Sequence, residues 1–261
     1  MNVNISKPKI RKEPWMNNIF SRFERKFLLT TEQKNMVTDF LTKHLVYDFY
    51  SPNGKSYGIY NYYFDTVDHE VVRHSVSKPA YKDKVRMRYY DDFMSLDTQV
   101  FLEIKKKAFS RVNKRRIQLS LEKANAYLLE GKDPEMDAYI DKQIFNEIDY
   151  LIKTTHIKPC TYIEYHRIAF ADLNSDLRIT IDNHLIFSHV DDKLRDLTPK
   201  TKLIPDDLYL MEIKSGQNFP LWLVAFLSEK ALFSQSFSKY GRAYQHYLQG
   251  GSIDDLILYK S

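Results

Sequence analysis

The segment "KVRMRYY", Lys84–Tyr90, alternates three cations, Lys84, Arg86 and Arg88, with Val85, Met87 and Tyr89. At the side-chain period of a β-strand, the cations share one face and the apolar or aromatic groups the other. Same-face neighbours lie about 7 Å apart. At an effective dielectric of about 20, two like charges there repel by roughly 2 kcal/mol. Such a row needs compensation. Arginine's planar fork grips phosphate oxygens two at a time, so a linear polyanion bridged by a divalent cation would supply it.

Other segments repeat the pattern. "SRFERKF" puts Arg22, Glu24 and Lys26 on one face; "FLEIKKK" does the same with Glu103, Lys105 and Lys107, opposite Leu102 and Ile104. "YIEYHRIAF" pairs Tyr165 with Arg167, "LRITID" aligns Arg178, Thr180 and Asp182, and "LYLMEIK" aligns Leu210, Glu212 and Lys214. For any single strand, a wet outer face explains such charges. Collectively, these faces carry Arg and Lys with one Glu rather than mixed Thr, Ser and Gln. If the apolar faces are covered by helices, the charged faces must close on each other as a hollow, cation-lined barrel. Buried charge of that kind must be paired or coordinated. The few interior carboxylates are oxygen donors suited to Mg²⁺ or Mn²⁺.

The elements that must position these residues read as strands with helical inserts. Residues 21–29 form a strand, followed by a Thr-capped helix with Met36, Val37, Phe40, Leu41 and Leu45 on one side. "SPNGKSYG" is a turn and "IYNYYFDT" a strand. Three strands follow as a meander, then two helices within 120–154 split at "GKDPE", the second built on Ile140, Ile144, Ile148 and Leu151. "CTYIEYHRIAFAD", "LRITIDN", a short "LIFSHV" and "LYLMEIKS" are further strands. Pro220 opens a helix to about Leu232, and "SFSKYGRAYQHYL" starts the last one. The expected architecture is α+β: an antiparallel eight-stranded β-barrel with helices packed on its outside. Residues 1–20 read as a basic arm, 21–250 as one domain and 251–261 as a tail.

Composition narrows the function classes. The 261 residues, 43% hydrophobic and 28% charged with a net charge of +5, suit a globular domain rather than a polycation, so an anionic partner must meet a local cluster. The single cysteine, Cys160, excludes an internal disulfide and a cysteine-rich zinc site. There is no signal peptide core, and the apolar run "LWLVAFL" is too short to span a bilayer; a cytoplasmic location is expected. "NGKS" echoes a P-loop ending, but Phe49 stands where its glycine is needed, and it reads as a turn. Nothing in the "KKK" at 105–107 calls for nucleic acid, because alternation sends Lys106 away from its neighbours.

In this order, "FERKF", "KVRMRYY", "FLEIKKK", "YIEYHRIAF", "LRITID", "LMEIKS" and "FSKYGRAY" resemble the VTC domain, the polyphosphate-polymerase branch of the triphosphate tunnel metalloenzymes (CYTH-like). The resemblance spans about Ser21 to Tyr247. It implies an antiparallel barrel whose tunnel takes ATP or another nucleoside triphosphate, with Mn or Mg, and makes polyphosphate. By the same resemblance, Lys26, Arg86, Arg88, Lys105, Arg167 and Arg178 hold the phosphates during transfer. Lys114, with Arg115 or Arg116 as alternatives if the register slips, and Lys214 and Lys239 bind or guide the polyanion. Glu212 matches the metal-binding glutamate, with Glu24 and Glu103 as helpers in metal binding or as salt-bridge partners.

Hydrolytic members of the superfamily open with E-x-E-x-K, whereas this chain reads "RFERK", with Arg22 in the first glutamate's place. Fewer carboxylates leave less capacity to hold two metals and position water, which favours transfer to a phosphate, pyrophosphate or polyphosphate acceptor. The alternatives are a triphosphatase of the same fold and a noncatalytic polyphosphate-binding protein. The regulatory domain and membrane segments of some relatives find no room here, so any membrane-protein partner is expected to lie outside this chain.

Overall fold

The computed structural model describes residues 23–249 except 91, 93, 94 and 110. The expected arm, the tail and Arg22 lie outside the described residues. Ten strands form one antiparallel sheet. They are β1 (Phe23–Thr30), β2 (Val46–Tyr47), β3 (Tyr57–Asp65), β4 (Tyr81–Tyr89), β5 (Gln99–Ala108), β6 (Arg111–Ser120), β7 (Lys158–Ala171), β8 (Arg178–His189), β9 (Thr201–Lys202) and β10 (Leu208–Ser215). The main path runs β1-β10-β8-β7-β3-β4-β5-β6, with β2 added to β7 and β9 to β8. The helices are α1 (Thr31–Leu41), α2 (Glu70–Val76), α3 (Leu121–Glu130), α4 (Tyr139–Thr155), α5 (Leu221–Glu229) and α6 (Lys239–Gln249).

Local signals explain most boundaries. Thr30 ends β1 and caps α1, its hydroxyl accepting from Gln33 N while the Gln33 side chain accepts from Thr30 N. Gly131, at φ 70, ends α3 in the left-handed region that glycine tolerates best. The meander β4–β5–β6 keeps its faces in register, with Arg86 opposite Glu103 and Glu103 opposite Arg116. The intervening Val85, Met87, Leu102, Ile104 and Ile117 are buried on the far face under α3 and α4. Likewise Phe27, Leu29, Ile179, Ile181, Met211 and Ile213 pack beneath α1 and α5.

Two expectations are corrected. The barrel is not closed: β1 and β6 end the hydrogen-bonded path. The free edge of β1 is met instead by the segment after α5, where Gln235 N donates to Lys26 O at 2.7 Å and Lys26 Nζ to Phe237 O at 2.8 Å. The sheet is nonetheless curled, because Lys105 on β5 acts electrostatically on Glu24 of β1. The helices are not all outside either. An apolar cluster of Ile59, Ile163, Leu185, Phe187 and Leu210 occupies part of the inner face, covered by Val72 of α2, by Phe237, and by Tyr240 and Ala243 of α6. Asp65, buried at the end of β3, fixes this cover: it accepts from Val71 N, Val72 N and the Tyr240 hydroxyl.

The short strand expected at "LIFSHV" is the second half of β8. A register shift opposite Glu164–His166 and a left-handed His184 (φ 49) carry the strand on and turn Leu185 and Phe187 inward. No helix among the described residues is long and apolar enough to cross a membrane.

Candidate functional site

On the uncovered part of the inner face, two ion clusters stand side by side. The first belongs to β4, β5 and β6. Glu103, 1% exposed, lies 2.5 Å from Arg86 Nε and 2.7 Å from Lys114 Nζ, with Arg116 at 4.0 Å. Burial works against its charge, but Arg86, Lys114 and Arg88 together outweigh that and hold the carboxyl well below the usual range. Arg88 donates from Nε to Asn61 Oδ1 at 2.7 Å and from a terminal nitrogen to the Tyr165 hydroxyl at 3.2 Å.

One carboxylate cannot serve this many cations. Burial pushes the Lys114 ammonium down to about 7; Glu103 opposes that, yet Arg86 and Arg88 add repulsion, so the ion pair lowers Glu103 without raising Lys114 above its ordinary value. Lys114 keeps 42% of its side chain exposed although protein encloses it on most sides, the situation of a group lining a wet channel, and water there moderates the shift. Burial likewise drives Lys84 down to about 8, with repulsion from Lys82, Lys105 and Lys26, and it lowers Lys105 despite Glu24. Tyr63, its hydroxyl 3.4 Å from Arg86, is pushed up by burial but pulled further down by Arg86 and Arg88, to about 8.

The second cluster belongs to β1, β7, β8, β10 and α6. Arg167 grips Asp182 with two nitrogens, at 2.6 and 2.8 Å, and Lys239 Nζ reaches the same carboxylate at 2.6 Å. Glu212 accepts from Lys214 at 2.8 Å and faces Lys239 at 3.4 Å and Lys26 at 3.8 Å. Lys26 also lies 3.1 Å from Glu24. Burial disfavours the charges of Asp182, Glu212, Lys239 and Arg167, but the opposite charges win: the two carboxyls are held low, and Lys239 and Arg167 are raised.

The structure thus brings Lys26, Arg86, Arg88, Lys105, Lys114, Arg116, Arg167, Lys214 and Lys239 to one concave face. Arg178 stands apart at the rim, where it pairs with Asp48 at 2.6 Å. The three expected metal glutamates are divided, Glu24 and Glu212 in the second cluster and Glu103 in the first. Among the described residues no group of three or more His, Cys, Asp or Glu side chains is arranged to hold an ion. Glu24 and Glu212 are hard oxygen donors already engaged by lysines. They fit a divalent cation that arrives with phosphate oxygens, not one held by protein alone.

Asp182, Asn61, Tyr63 and Tyr165 were not among the expected site residues. Asp182 was detectable: it shares the parity of Arg178 and Thr180 on β8. Tyr165 shares the parity of Arg167 on β7, whereas Asn61 and Tyr63 lie on a strand with large residues on both faces, so alternation does not mark them.

Comparison with known proteins fits this geometry. A structure from Bacillus halodurans, described as "a putative adenylate cyclase", superposes with a TM-score of 0.51 at 14% identity, covering 85% of this chain and 95% of the other. At that identity the likeness is one of fold. More distant are a Pyrococcus horikoshii OT3 protein (TM-score 0.40, 11% identity, 85% and 99% covered) and a Pyrococcus furiosus protein (0.40, 11%, 83% and 97%). No curated protein gives a significant match. The model of the VTC domain matches residues 21–248, and the chain belongs to that family.

Proposed function

We propose that the chain is a phosphotransferase that moves the γ-phosphoryl of ATP or another nucleoside triphosphate to a phosphate or polyphosphate acceptor within the basic channel. The observation that carries this reading is the surplus of cations on the inner face, where Lys26, Lys84, Arg86, Arg88, Lys105, Lys114, Arg116, Arg167, Lys214 and Lys239 meet four carboxylates, Glu24, Glu103, Asp182 and Glu212. A chain of phosphates would supply the missing anions.

Phosphoryl transfer goes through a loose transition state, so positioning and charge stabilisation dominate. Arg86 and Arg88 project from the same face of β4 toward Tyr63 and Tyr165 and would clamp the transferred group. Lys26, Lys105 and Lys114 would hold the flanking phosphates, and Arg167, already fixed by Asp182, would present its remaining nitrogen. Lys214 and Lys239 would neutralise the entering or leaving chain, and Arg178 would meet it at the rim. Glu212 and Glu24 would hold a divalent cation, Mn or Mg, which would offset the negative charge of the phosphates. A phosphate acceptor is already ionised at neutral pH, so no dedicated base is needed.

The test is to incubate the purified chain with ATP and Mn²⁺ and size the products on a gel. A ladder of long polyphosphate is expected. Release of orthophosphate alone would convert the reading to a triphosphatase, and binding without turnover to a polyphosphate-binding protein.

A further inference from the structure

At one end of the channel the inner face changes from charged to aromatic. Tyr57 of β3, Tyr90 after β4 and Phe101 of β5 follow the parity of Asn61, Arg88 and Glu103, so they continue the lining outward. Tyr50, from the turn after β2, joins them: its ring lies nearly parallel to Tyr90, centroids 6.2 Å apart, and 5.7 Å from Tyr57. Tyr90 meets Phe101 edge-on at 5.8 Å, and the Arg116 guanidinium sits over Phe101 at 4.5 Å. Tyr50 is 59% exposed, an unusual state for a ring in a contiguous aromatic group.

We infer that this aromatic rim is a stacking platform for the nucleobase of the donor, placed so that the triphosphate of the same molecule enters between Arg88 and Arg167. The inference rests on the proposed function and assigns to Tyr50, Tyr90 and their neighbours the part of that donor that the cations do not hold. Three observations support it. The rim is continuous with the cationic lining, since Arg167 lies opposite Tyr57 and Phe101 opposite Arg88 in the sheet register. Every base has a π-face, and aromatic rings and guanidinium planes are the groups that take it up. Two polar pairs at the rim are occupied with each other, Asp48 with Arg178 at 2.6 Å and Gln118 with Gln99 at 3.0 Å. Stacking without readout of the base edge tolerates different bases, so ATP, GTP and UTP all bind, the larger purines more tightly.

Calorimetric titration with ATP, UTP and inorganic tripolyphosphate, each with Mg²⁺, tests this on the wild type, Tyr50→Ala, Tyr90→Ala and the Phe variants of both. The Ala variants are expected to weaken ATP and UTP binding about tenfold, as loss of one stacked ring does, and to leave tripolyphosphate unchanged. The Phe variants keep wild-type affinity. Equal weakening of tripolyphosphate, or no change for any nucleotide, overturns the platform while leaving the channel reading intact. Failure of the wild type to bind tripolyphosphate at all overturns the channel reading itself, and the platform with it.

Discussion

The two ion clusters use the same residue types to opposite ends. Around Asp182 and Glu212, each carboxylate meets two or three cations at close range, and the charged states of Asp182, Glu212, Arg167 and Lys239 are favoured. Around Glu103, a single carboxylate faces Arg86, Lys114 and Arg116, while Lys84 and Lys105 stand nearby with their charged forms penalised by burial. The first arrangement holds together unaided and ties α6 to the sheet through Lys239. The second has more cations than carboxylates, and in the proposed reading the phosphates of the substrate supply the balance. Sharing one concave face, they would divide the labour between framework and receptor.

Breaking the framework has the largest expected effect. Asp182→Ala leaves Arg167 and Lys239 enclosed without their main partner, and should cost about 3–5 kcal/mol of stability. A urea denaturation curve with an unchanged slope and a lowered midpoint would register it. In the receptor half the balance shifts from stability to activity. Arg86→Ala leaves Glu103 still paired with Lys114 and should unfold little, but it removes the proposed clamp on the transferred group. A rate loss of about 10²–10³-fold is expected in a polyphosphate-synthesis assay. Equal stability losses in the two variants would erase the distinction.

A subtler contrast lies in pH. For Lys84 and Lys114 the folded values, about 8 and about 7, lie below the ordinary lysine value. Between those values and the unfolded one, the unfolded chain binds more protons, so stability rises with pH. Tyr63, lowered to about 8 against 10 unfolded, works in the same direction between pH 8 and 10. Ligand-free protein should therefore melt at a higher temperature at pH 9 than at pH 7, and saturating tripolyphosphate should shrink that difference by restoring charge to the lysines.

Much of this was legible because strand alternation is local. "KVRMRYY" and "FLEIKKK" assign their faces without any knowledge of the fold, and the meander register then brings Arg86 to Glu103. Closure was not legible: whether β1 pairs with β6 depends on two edges about ninety residues apart in chain order, and on Gln235 reaching β1 first. The inner apolar cover escaped for a related reason. In "IYNYYF" both faces carry large side chains, so nothing marks Ile59 as facing α6. The seven-residue α2 lacked a cap signal because its anchoring carboxylate, Asp65, lies five residues before its first residue and His69 occupies the cap in a left-handed conformation. Strand parity puts Asp182 beside Arg178 and Thr180 but does not say which cation it meets; the β7–β8 register, which sets Arg167 opposite it, does.

The most direct test of the division between framework and receptor is an NMR titration of the lysine ε-ammonium groups, with and without tripolyphosphate. In the free protein Lys84 and Lys114 should titrate near 8 and 7 and Lys239 above its ordinary value. On binding, the first two should rise by at least a unit while Lys239 stays in place. Ordinary lysine values for Lys84 and Lys114 in the free protein, or values that the ligand leaves unmoved, would contradict the account.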